Sequence, residues 1–136
     1  MPLGLYKLEA PNAPFRPGDI VEFCPPSWVS PDIFRFYPRG RCAGGGEPML
    51  KEVVATAGGV VDATDSGVLI NGTPLQNSDP LIRPGLPRLR GRFELSSTEV
   101  WVFGTGSSPE LARHSFDSRY FGPVQVRSVT GVLTRD

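Results

Sequence analysis

The chain has 136 residues, with Lys+Arg 14 balanced by Asp+Glu 14. That is the size of one ordinary domain, and the zero net charge argues against a nucleic-acid binder, which carries a basic excess. Gly 16 and Pro 15 recur along the chain and leave little room for long helices. No run within these residues approaches the ~18–20 apolar residues of a membrane span. A helical bundle, a coiled coil and a membrane-spanning bundle are thereby excluded, and a compact, turn-rich β domain is favoured.

Taken in order, Phe15-Arg16-Pro17-Gly18-Asp19 is a turn signal, and Ile20-Val21-Glu22-Phe23 alternates like a half-buried strand. Residues 25–46 are irregular, running from Pro25-Pro26 through Trp28, Phe34, Phe36 and Tyr37 to Gly44-Gly45-Gly46. Only 31–37 could form a short helix. Residues 49–55 and 60–61 are apolar and β-branched and read as strands either side of Gly58-Gly59. Residues 68–75 predict a hairpin, with Asn71-Gly72 supplying the positive φ of a type I′ turn. Residues 76–92 read as an exposed connection, Glu99-Val100-Trp101-Val102-Phe103-Gly104 as a strand, and 124–126 and 129–133 as closing strands. The picture is of eight or so short, mostly antiparallel strands.

Cys24 and Cys42 admit two readings. In a reducing compartment they are small core residues; in an oxidising one they can close a loop rich in Pro and aromatics. With the single His114 they cannot complete a four-ligand zinc site without carboxylates, so no metal or cofactor is expected.

Three segments carry potential chemistry. Met1-Pro2-Leu3-Gly4-Leu5-Tyr6 opens the chain. Lys51 follows Met49-Leu50 and precedes Val53-Val54, inside an apolar strand, on the opposite face from Leu50 and Glu52. A lysine there ordinarily reaches solvent or an acidic neighbour. If desolvated instead, its ammonium is disfavoured and its neutral amine becomes a general base. The third segment, Ser115-Phe116-Asp117-Ser118-Arg119-Tyr120-Phe121-Gly122-Pro123, packs hydroxyls, a carboxylate, a guanidinium and rings together. Read as a strand or tight turn, it places Ser115, Asp117 and Arg119 on one face, with Asp117 and Arg119 able to pair. His114 reads as a loop residue, and no Ser-His-Asp arrangement is evident.

In this order the segments resemble the signal peptidase I superfamily, and most closely its TraF branch of conjugative-transfer peptidases. That branch begins with Ser-x-Pro-x-Gly-x-Tyr, matched by Pro2-Leu3-Gly4-Leu5-Tyr6. A Pro-Gly-Asp turn follows, matched by Pro17-Gly18-Asp19, then a strand of the form Leu-Lys-x-Val, matched by Leu50-Lys51-Glu52-Val53. The closing Ser-x-Asp-Ser-Arg-Tyr-Phe-Gly-Pro box is matched throughout by residues 115–123. One departure is the end of the lysine strand, which reads Ala57-Gly58-Gly59 where the family has Pro-Gly-Asp.

The resemblance implies a mainly β fold: the antiparallel sheets of the signal peptidase catalytic core with a small inserted β subdomain. It implies a single peptidase domain, residues 1–136, with a core of 1–60 and 99–136 and an inserted subdomain of 61–98. It implies that Lys51 is the general base, that Ser115 orients it, and that Asp117 and Arg119 brace the site. Met1, Pro2, Leu3 and Gly4 would line the substrate. The nucleophilic serine is expected just before Met1, so the chain as it stands is expected to be inactive. The implied reaction is Ser/Lys cleavage of a pilin precursor, by hydrolysis or cyclisation. The implied location is the periplasmic face of the bacterial inner membrane, reached through an N-terminal anchor. That location favours a Cys24–Cys42 disulfide. The alternatives are a self-cleaving LexA-type domain, which does not account for the 115–123 box, and a non-catalytic pilin-binding module. The stretch 28–37 is expected to be partly exposed and mobile, either as a satellite hydrophobic cluster or as a membrane contact through Trp28 and Phe34.

Overall fold

The computed structural model describes residues 6–10, 14–104 and 109–135. It is mainly β and antiparallel throughout. Ten strands are defined: β1 (Tyr6–Glu9), β2 (Ile20–Phe23), β3 (Met49–Ala55), β4 (Val60–Thr64), β5 (Gly67–Ile70), β6 (Thr73–Pro74), β7 (Gly91–Glu94), β8 (Glu99–Phe103), β9 (Val124–Gln125) and β10 (Val129–Arg135). Two short helices, α1 (Pro109–His114) and α2 (Ser118–Phe121), lie between β8 and β9. Among the described residues no helix is long and apolar enough to cross a membrane.

The strands form two sheets, one of six in the order β1-β10-β2-β3-β8-β9 and one of four in the order β6-β5-β4-β7. The larger sheet carries the main core, in which Val21, Phe23, Met49, Val53, Val100 and Val102 pack with Phe121 and Val124. The four-stranded sheet covers a second core of Ala55, Val61, Ala63, Val68, Leu95 and Trp101. One strand serves both, because successive side chains point to opposite faces: Val100 and Val102 of β8 enter the first core, and Trp101 the second. A bulge in the β3–β8 ladder between Val53 and Ala55 does the same for β3. The extra residue shifts the face, so Val53 lies in the main core and Ala55 in the second.

The hairpin at Asn71-Gly72 forms as expected: Ile70 faces Thr73, with φ of 50° and 83° at the two turn residues. Other expectations need correction. β1, β7 and α1 have no strong hydrophobic period, and the sequence did not reveal them. β7 begins at the end of the stretch read as an exposed connection (76–92) and runs past it, held by pairing with β4 from Val60↔Glu94 to Ala63↔Gly91. Residues 31–37 make turns and not a helix. The stretch 28–37 is anchored more firmly than a satellite cluster. Val29, Phe34 and Tyr37 are buried in the main core, while Trp28, Ile33 and Phe36 project outward. Cys24, just beyond β2, is disulfide-bonded to Cys42 and closes this loop at its base.

Candidate active site

Lys51 stands on β3 between Met49 and Val53, and alternation turns all three toward the main core. Its Nζ donates a hydrogen bond of 2.8 Å to Ser115 Oγ, across 64 residues of sequence. Burial pushes the Lys51 pKa below its ordinary value; the Asp117 carboxylate opposes that shift and the Arg119 guanidinium adds to it. The amine is therefore held toward its neutral form, in which it can accept a proton.

Ser115 owes its place to a buried ion pair. Of the two readings left open for the box, strand or tight turn, the turn is the one that forms, with residues 118–121 helical. Asp117 is the N-cap of α2, its carboxylate accepting from the Arg119 N–H. Arg119 Nε donates to Asp117 Oδ1 at 2.9 Å and Nη2 to Oδ2 at 3.0 Å, with both side chains almost wholly buried. Asp117 Oδ2 also accepts from the Gly104 N–H at 3.1 Å. Arg119 Nη2 also donates to the carbonyls of Ser115 at 2.8 Å and Ala112 at 2.9 Å, and Nη1 to that of Asp79 at 3.1 Å. The guanidinium thus grips the turn that presents Ser115 Oγ to Lys51. Its carbon lies 4.8 Å from the Phe103 ring centroid, so its face is covered as well. Next to it, Ser118 Oγ accepts from the Val102 N–H at 2.9 Å and ties α2 to β8.

The second sheet is stitched to the same unit. The Leu81 N–H donates to Tyr120 Oη at 2.8 Å, two residues beyond the Asp79 carbonyl that Arg119 holds. Ser78 completes the stitch by accepting from the Val68 N–H and donating to the Leu75 carbonyl.

Sequence reasoning missed Gly104. A Cβ built there would lie 1.9 Å from Ser115 Oγ and 3.3 Å from Lys51 Nζ, so only glycine leaves room for the two to meet. A glycine immediately after the apolar run Val100-Trp101-Val102-Phe103 was the available signal. Also missed was a groove of about 210 Å³ beside Lys51, lined by Phe36, Tyr37, Pro38, Glu47, Pro48, Met49, Leu50 and Phe116. Along it, residues 49–51 pair with β2 on one side, whereas the β8 ladder reaches only as far as Glu52↔Phe103. No described strand covers that half of β3. Met1, Pro2, Leu3 and Gly4, expected to line the substrate, lie outside the described residues. His114 ends α1 and takes no part in the Lys51–Ser115 unit. Among the described residues no cluster of His, Cys, Asp and Glu could hold a metal.

The site is thus a partly buried lysine amine set on a serine hydroxyl within an antiparallel β framework. The family model for "Signal peptidase, peptidase S26" matches residues 5–135, and the chain belongs to that family. It is 38% identical over 145 residues to a plasmid transfer protein TraF of Escherichia coli, covering 98% of this chain and 76% of that one. It is 34% identical to a probable conjugal transfer protein TraF of Sinorhizobium fredii, covering 96% and 69%. A signal peptidase I of Enterococcus faecalis shares the fold, with a TM-score of 0.50 at 22% identity over 90% of this chain and 98% of that one.

Proposed function

We propose that this protein is a serine endopeptidase using a Ser/Lys dyad, with Lys51 as its general base, and that it processes a pilin precursor in conjugative transfer. The observation that carries the reading is the half-buried Lys51 amine, hydrogen-bonded to Ser115 Oγ beside a strand edge that no described strand covers. The transfer-protein names of its relatives supply the biological setting. In this reading the nucleophile is the serine that the family motif sets immediately ahead of Met1. A membrane anchor preceding it would hold the domain on the periplasmic face of the inner membrane, where a Cys24–Cys42 bond is at home.

The chemistry follows from the amine. Neutral Lys51 Nζ takes the proton as the serine oxygen adds to the scissile carbonyl, and backbone N–H groups near the nucleophile hold the oxyanion. Collapse breaks the C–N bond, and the Lys51 ammonium returns the proton to the departing amine. The acyl-enzyme is then attacked by water, or by an amine that closes the product into a ring, with Lys51 again accepting the proton. Ser115 and the Asp117–Arg119 pair are positioning residues, which keep Nζ aimed without touching the reacting atoms. The substrate would lie extended along residues 49–51 as an added strand.

The test is precursor processing by the chain extended to place serine before Met1. Cleavage should appear, Lys51→Ala should abolish it, and Ser115→Ala should reduce it. Undiminished cleavage in Lys51→Ala would overturn the dyad.

A further inference from the structure

The groove beside Lys51 has one wall that does not come from either sheet. It is the irregular loop that leaves β2 at Cys24 and is fastened again at Cys42. Val29, Phe34 and Tyr37 peg this loop into the main core. Between two of those pegs, Phe36 stands 57% exposed. Its ring meets Phe116 edge-on at 5.1 Å and Phe34 at 6.0 Å, and Phe116 adjoins the serine that Lys51 grips. An aromatic ring packed on one side and open on the other leaves apolar surface that a ligand can cover. The rim opposite is different in kind. Glu47 contributes a carboxylate, and its backbone carbonyl accepts from the Tyr37 hydroxyl. A Cβ at Gly46 would collide with the Tyr37 ring, so the backbone runs directly against it and fixes the rim.

We propose that Phe36 is the specificity-determining residue of this groove, selecting an apolar side chain and rejecting an acidic one in the peptide that lies along residues 49–51. The inference rests on the peptidase reading for the identity of the ligand as an extended peptide. Phe36 and Phe116 supply the attraction for an apolar group of leucine size. Glu47 supplies the rejection, since a second carboxylate would be brought beside the first. The same carboxylate adds to the effect of burial in raising the Tyr37 pKa, so its field reaches the groove wall.

Binding tests the proposal without requiring turnover. Fluorescein-labelled octapeptides of alternating Ala and Thr, with Leu or Asp scanned through each position, are titrated into the whole chain and followed by anisotropy. At the best position the Leu peptide should bind at least tenfold more tightly than the Asp peptide, which corresponds to about 1.4 kcal/mol. Phe36→Ala should reduce that ratio to threefold or less, and Phe36→Leu should retain most of it. Because Phe36 projects into solvent, both variants should keep the parent's circular dichroism. Ile82→Ala, which removes another exposed apolar side chain, should leave the ratio unchanged. A parent ratio near one, an unchanged ratio in Phe36→Ala, or an equal fall in Ile82→Ala would overturn the proposal. Discrimination in binding with no processing by the serine-extended chain would overturn the peptidase reading and leave the groove assignment standing.

Discussion

The two sheets are woven from the same short, β-branched strands, yet they place their charges in opposite settings. Against the larger sheet, Arg119 and Asp117 are 1% and 0% exposed and are bonded on every side. On the smaller sheet, Arg88 and Arg90 both reach Asp65, at 2.7 and 2.6 Å, and the Asp65 side chain is 45% exposed. The distances are alike, so geometry does not separate the two cases; water does. Exposed pairs are screened and already solvated when broken, whereas a buried ion left alone keeps its desolvation penalty. Only the buried pair can therefore impose a position on its neighbours, and its neighbours are Ser115 and Lys51.

Arg119→Ala should show the largest effect. It strands the Asp117 carboxylate and releases three carbonyls, and should lower stability by roughly 3–5 kcal/mol in denaturant unfolding. A loss below 1 kcal/mol would erase the contrast between the sheets. Gly104→Ala should come next, at about 1–3 kcal/mol for overpacking, together with a larger loss of processing in the serine-extended chain because Ser115 must move. Stability falling while processing stayed intact would show that the Lys51–Ser115 contact is dispensable.

Lys51→Met sharpens the comparison through pH. The folded-state pKa of Lys51 is lowered by burial, so over the interval below the ordinary lysine value the unfolded chain holds a proton that the folded protein has released. The parent's stability therefore rises with pH across that interval. The Met variant should be the more stable protein near neutrality, with the difference shrinking as pH approaches about 10.4; a pH-independent difference would contradict this. In the serine-extended chain, activity should fall as the pH drops through the folded-state pKa, because the ammonium cannot accept a proton. The smallest effect belongs to the second sheet. Arg90→Ala should change stability by no more than about 1 kcal/mol, and less in high salt.

What could be read in the sequence divides along the same physical line. β2, β3, β4, β5, β8 and β10 announce themselves through β-branched or alternating runs, and the β5–β6 turn through Asn71-Gly72. β7, Gly91-Arg92-Phe93-Glu94, offers a single apolar side chain, and its partner β4 lies about 30 residues away in sequence. Long-range pairing overrode a weak local signal there. At the site, Lys51, Ser115, Asp117 and Arg119 were all singled out by motif, but spacing left a strand and a tight turn equally open. The N-cap bond from Arg119 N–H to Asp117 selects the turn and starts the helix at 118–121. Gly104 and Phe36 act through what they come close to in space, a property that no spacing along the chain records.

The bonds at residues 78–81 also decide where foreign sequence can be spliced into this protein. The Asn71-Gly72 tip of the β5–β6 hairpin is exposed, and a Cβ at Gly72 would meet nothing within 4 Å. A peptide tag or a reporter module grafted there would displace solvent and leave both cores closed. The same graft within residues 78–81 would open the crossing in which Ser78 ties down the hairpin, the Asp79 carbonyl caps Arg119 and the Leu81 N–H reaches Tyr120. A split-protein design should therefore cut at the hairpin tip, where the two halves would each keep their own strands, and leave residues 78–81 in one piece.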